Sequence, residues 1–162
     1  MHAPTNRSHA IIAQSPSATT HFSPPSSPQP SLHGRRVLVL DDDPLAAVIA
    51  SLDLEDAGAP FVLVHDERSA HAALDSAVAS GEPFDAAVLD VNLGAGRTSR
   101  SVAERLRAMN VPFVLHTAEP DALADDLERR MQAGGGNAPV VGKPAPIGAL
   151  TQELSRLLDP SR

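Results

Sequence analysis

Val37-Leu38-Val39-Leu40-Asp41-Asp42-Asp43-Pro44 is the stretch on which the reading of this chain turns. Four apolar, partly β-branched residues run straight into three consecutive acids and a proline. The apolar run predicts a short strand. Asp43 suits a helix N-cap and Pro44 the first helical position, so a helix is expected from Pro44 to about Ala57, stopped by Gly58. The run is continuous, not alternating. Such a strand belongs inside a parallel sheet covered on both faces.

Outward from that stretch the same unit repeats. Phe61-Val62-Leu63-Val64 predicts a second strand, and residues 67–80 an Ala-rich helix. Phe84-Asp85-Ala86-Ala87-Val88-Leu89 leads as a third strand into Asp90. Residues 98–109 carry Val102, Leu106 and Met109 on one helical face. Pro112-Phe113-Val114-Leu115-His116 predicts a strand ending at Thr117. Residues 120–132 predict a helix with Leu123, Leu127 and Met131 on one face, broken by Gly134-Gly135-Gly136. Pro139-Val140-Val141 predicts a short fifth strand, and residues 146–158 a last helix. Five strand-then-helix units imply an α/β domain with a doubly wound, five-stranded parallel sheet.

The N-terminal residues 1–33 read differently. They hold six prolines and seven serines, one Arg and no acid. Such a stretch buries too little apolar surface to offset its ordering entropy, so a disordered tail is expected there, with the domain spanning 34–162. Net charge is −7, which argues against direct nucleic-acid binding, since that needs a cationic footprint. There is no cysteine, so disulfides and thiolate metal sites are excluded. No apolar run approaches the roughly 20 residues of a membrane span, and Ala10-Ile11-Ile12-Ala13 is too short for a signal-peptide core. The expectation is a cytoplasmic protein with no membrane partner.

In a doubly wound sheet, ligands bind beyond the carboxyl ends of the strands. The first strand ends in Asp41-Asp42-Asp43, the third in Asp90 and the fourth in Thr117; Lys143 follows the fifth. Crowded carboxylates raise one another's pKa unless a cation intervenes, and a hard divalent ion such as Mg²⁺ (or Mn²⁺) resolves the crowding with oxygen ligands. A carboxylate can also be a nucleophile that forms an aspartyl phosphate. Phosphoryl transfer asks mainly for positioning and charge neutralisation, which a cation, an ammonium and a hydroxyl provide. Lys143 is the single lysine beside twelve arginines. A compact ammonium is not interchangeable with a planar guanidinium at a crowded site.

The segments VLVLDDDP (37–44), FDAAVLDVNL (84–93), VPFVLHTAEP (111–120) and VVGKP (140–144) together resemble a CheY-like receiver domain of two-component response regulators, over residues 34–159. The resemblance implies a flavodoxin-like (βα)5 receiver fold with strand order 2-1-3-4-5. It implies that Asp90 is the phosphoacceptor, Thr117 the switch hydroxyl and Lys143 the phosphate-binding lysine. Asp42 would bind Mg²⁺ directly, Asp41 through water, and Asn92 through its backbone carbonyl. It implies a cis Lys143–Pro144 bond and a tuning role for Glu119 in dephosphorylation. A sensor histidine kinase or histidine phosphotransfer protein would be the donor, and the domain would promote only its own phosphorylation and dephosphorylation. Gly94 departs from a common proline, and Val140 from a common aromatic residue.

Two alternatives use the same residues. A pseudo-receiver would keep the fold as an interaction module without phosphorylation. A haloacid-dehalogenase-type hydrolase would take Asp41 and Asp43 as its D-x-D pair, but leaves Asp90 without a role and lacks a well-placed acid after Lys143.

Overall fold

Val37–Leu40 (β1) is buried at every position, because both faces of the strand are covered. Alternation along the strand sorts its side chains into two cores. Leu38 and Leu40 join one apolar cluster, while Val37 and Val39 join the other. This is a computed structural model of the chain, and it describes residues 31–118 and 138–159.

β1 is followed by α1 (Pro44–Asp56), β2 (Phe61–Val64), α2 (Glu67–Ser80), β3 (Ala86–Asp90), α3 (Arg100–Ala108), β4 (Phe113–Thr117), β5 (Val140–Gly142) and α4 (Ala149–Leu158). All strand pairings are parallel, in the order β2-β1-β3-β4-β5. That is the order the resemblance implies. Residues of α2 and α3 pack on one face of the sheet, and those of α1 and α4 on the other. The helix predicted over 120–132, Glu119 and the glycine triplet lie outside the described residues, as does the tail up to residue 30. Among the described residues, no helix is long and apolar enough to cross a membrane.

Local chemistry explains the boundaries. Asp43 caps α1 by accepting the Leu45 N–H at 2.9 Å, and Pro44 occupies the first turn. Asp66 caps α2 through Ser69, and Gly81 ends that helix at φ 73°. Two boundaries differ from expectation. The last helix begins at Ala149, not 146, because Gly148 sits at φ 82° and cannot continue a right-handed helix. The described packing also includes a residue before Gly34. Leu32 is buried among Leu54, Ala57 and Val37, and its N–H donates to Ala57 O at 3.0 Å.

Candidate phosphoacceptor site

The sheet register brings the strand ends level. Leu40 pairs with Leu89, and Asp90 pairs with His116. The residues just beyond Leu40 therefore stand beside Asp90. Asp41 and Asp90 are both buried, while Asp42 is half-exposed at the rim.

Lys143 closes the arrangement from the far side of β4. Its Nζ lies 2.6 Å from Asp90 Oδ2 and 2.8 Å from Asp41 Oδ2. One ammonium thus serves two carboxylates. Its geometry makes a hydrogen bond to Asp90 but not to Asp41, whose Oδ2 is buried without one. The Lys143 N–H donates to Thr117 O at 2.7 Å, which fixes the lysine's start against the end of β4. The Lys143–Pro144 peptide bond is cis. Thr117 is buried at that strand end.

Main-chain groups steady the acids. Asp41 Oδ1 accepts the Asp43 N–H at 3.0 Å. Asp90 Oδ1 accepts the Asn92 N–H at 3.1 Å, so Asn92 reaches the site through its backbone. Charged hydrogen bonds of this kind favour the ionised carboxylate. Burial opposes it. For Asp41, burial is outweighed by the His116 and Lys143 side chains beside it, and its carboxyl is held below the usual range. For Asp90, burial prevails with help from the Asp41 charge, against Lys143, and its carboxyl is raised. Burial pushes against the Lys143 ammonium, but its two carboxylate partners hold its pKa up.

The donor set fits a hard divalent cation. Asp41, Asp42 and Asp90 each offer an oxygen, and these atoms lie within 4.8 Å of one another. Gly94 adds to the fit: a Cβ there would stand 2.9 Å from Asp42 Oδ2. Gly94, Ala95 and Gly96 take φ values of 61°, 50° and 73°. Proline is locked near φ −65°, so the departure at 94 has a conformational cause. Val140 is half-buried and packs against the α2–α3 side core.

Asp41, Asp42, Asp90 and Lys143 are therefore gathered as one cluster, with Asn92 and Thr117 at its edge. Asp43 is not part of it; that side chain is exposed and caps α1. His116 went unremarked in the sequence, yet it is 2% exposed beneath the site, with Nδ1 3.7 Å from Asp41 Oδ2. The signal was there: a polar residue with the core-facing parity of Val114, directly before Thr117.

No protein-family model matches the chain, and the search of curated proteins gives no match. Solved structures do match. A response regulator receiver protein from Sinorhizobium medicae aligns at 24% identity and TM-score 0.64, covering 82% of this chain and 100% of that one. The chemotaxis protein CheY4 of Vibrio cholerae aligns at 24% identity and TM-score 0.60, covering 76% and 98%. A sensor protein from Polaromonas aligns at 26% identity and TM-score 0.61, covering 80% and 99%. The chain has the CheY-like receiver fold.

Proposed function

We propose that this receiver-fold chain is the phospho-accepting partner in a two-component signalling step, with Asp90 as the acceptor. The observation that carries the reading is the Asp90–Lys143 contact inside the acidic cluster. Asp90 Oδ1 is held by Asn92, and Oδ2 faces the ammonium. The carboxylate attacks the phosphorus of a phosphohistidine on a sensor kinase or phosphotransfer protein. An O–P bond forms, the P–N bond breaks, and the imidazole leaves with the electron pair and takes a proton. Lys143 would balance charge on the transferred oxygens, and Thr117 would offer its hydroxyl to another. Asp41, Asp42 and Asp90, with the Asn92 carbonyl, would hold Mg²⁺ or Mn²⁺. That ion would supply charge neutralisation at the phosphoryl group. The chain turns over no separate substrate in this account; it promotes its own phosphorylation and dephosphorylation in the cytoplasm. Asp43 acts as a helix cap and the cluster includes Asp90, which supports this reading over a D-x-D hydrolase.

The surface beside the site fits a helical donor. Leu45, Val48, Ile49 and Leu52 are 69%, 52%, 37% and 55% exposed. Their 3-4-7 spacing makes one apolar stripe along α1, starting at the acidic end. Asp53 accepts the Gly148 N–H at 2.9 Å and ties the loop carrying the exposed Ile147 to this helix. The stripe suits the apolar face of the helix that bears the donor histidine.

The test is to trap the acyl phosphate with borohydride and map the product by peptide mass. Reduction at Asp90 alone supports the reading. Reduction at Asp41 would move the nucleophile and support the hydrolase.

A further inference from the structure

We propose that His116 is a positioning residue that takes over Asp41 when Lys143 is drawn to a phosphoryl group. The inference rests on the phosphoacceptor reading of Asp90 and deepens it. Three observations support it. His116 is 2% exposed, and neither ring nitrogen has a hydrogen-bond partner. Asp41 Oδ2 is likewise buried without a hydrogen bond, and His116 Nδ1 is 3.7 Å from it. The group occupying Asp41 Oδ2 is the Lys143 ammonium at 2.8 Å, which is shared with Asp90 Oδ2 at 2.6 Å.

Buried polar groups are normally paired, so a buried imidazole with neither nitrogen bonded, beside a carboxylate oxygen held only by a shared ammonium, needs an explanation. Sheet parity supplies part of it. His116 is level with Asp90 and on the face of Val114, between the acids above and the α1–α4 side core below. A phosphoryl group on Asp90 adds negative charge beyond Asp90 and pulls the shared ammonium outward. Asp41, 1% exposed, then loses its counter-charge. A small approach brings His116 Nδ1 to hydrogen-bond distance. The imidazole keeps Asp41 oriented, as partners of ligating carboxylates do.

The first test uses the wild-type chain. Ring ¹⁵N shifts of His116 are read with Mg²⁺, before and after addition of beryllofluoride, a phosphoryl mimic. The expected result is a proton on Nδ1 once the mimic binds. A ring that keeps Nδ1 unprotonated after the mimic has bound overturns the proposal. Failure of the mimic to bind would count instead against the phosphoacceptor reading.

The second test is Mn²⁺ affinity by calorimetry with beryllofluoride at saturating concentration, the state in which Lys143 is drawn off Asp41. His116→Val should weaken binding about tenfold, the lower end for losing such a partner. His116→Asn, which keeps an N–H near the Nδ1 position, should stay within about threefold of wild type, judged against that same scale. In an Asp41→Asn background, His116→Val should change nothing further. Equal losses for Val and Asn, or no loss for either, would reduce His116 to a packing residue.

Discussion

Lys143 Nζ reaches Asp90 Oδ2 at 2.6 Å across an intervening strand: Asp90 ends β3, Lys143 follows β5, and β4 lies between. The chain order alone keeps them 53 residues apart. Their meeting depends on the 2-1-3-4-5 arrangement and on the Lys143 N–H bond to Thr117 O. Because the same ammonium also touches Asp41, removing it leaves two buried carboxylates facing each other.

Lys143→Met should therefore cost stability as well as reactivity. Breaking a buried pair by deleting one partner costs about 3–5 kcal/mol. Thermal melting should show that loss, with Mg²⁺ restoring more stability to the variant than it adds to wild type. Phosphorylation by a small donor should slow by about 10²-fold or more, the scale for one lost stabilising donor. Lys143→Arg should not recover the rate, because the fork does not fit a point-charge site. Full activity in the Arg variant would contradict this.

The two buried acids should respond to pH in opposite senses. Asp90 is raised, by burial first, so its folded form holds a proton more tightly than its unfolded form. That contribution to stability is present in acid and is lost as pH rises from the ordinary carboxylate range through the raised value. Asp41 is lowered, so its contribution is present above the ordinary range and lost as pH falls. Asp90→Asn should stabilise the metal-free chain, and the gain should grow across that rising-pH window before levelling. A gain independent of pH would contradict the assignment.

Gly94→Ala should injure both fold and site. At φ 61° an L-residue pays about 1–2 kcal/mol, visible as a lower denaturant midpoint. The new Cβ would meet Asp42 Oδ2, so Mn²⁺ affinity should also fall, whereas Gly96→Ala, with nothing near its Cβ, should cost stability alone.

Leu52→Asp should separate the two kinds of donor. The side chain is 55% exposed, so the fold should tolerate the change. Transfer from a phosphorylated histidine protein should slow at least about tenfold, a loss on the scale of about 1.4 kcal/mol at an interface. Phosphorylation by acetyl phosphate should be unchanged. Equal slowing with both donors would remove the α1 stripe from the docking surface.

Much of this architecture was legible because each strand announced itself and what followed it. Val37–Leu40, Phe61–Val64 and Val88–Leu89 are unbroken apolar runs, and the acids stand where a parallel sheet places its ligands. Three things were hidden. Leu32 is a lone apolar residue after a Ser/Pro-rich stretch, and its burial depends on the distant Leu54 and Ala57. The start of α4 depends on the left-handed turn at Gly148, which the apolar periodicity does not register. His116 reads as one more strand residue until the register sets it beside Asp90 and near Asp41. Each depends on tertiary neighbours rather than local pattern.

The most direct test of the central claim is intact mass after incubation with Mg²⁺ and acetyl phosphate, with wild type and Asp90→Asn side by side. The account predicts one added phosphoryl group on wild type, absent without Mg²⁺ and absent from the variant. A folded wild type that gains no mass, or an Asp90→Asn variant that gains the same mass, would contradict it.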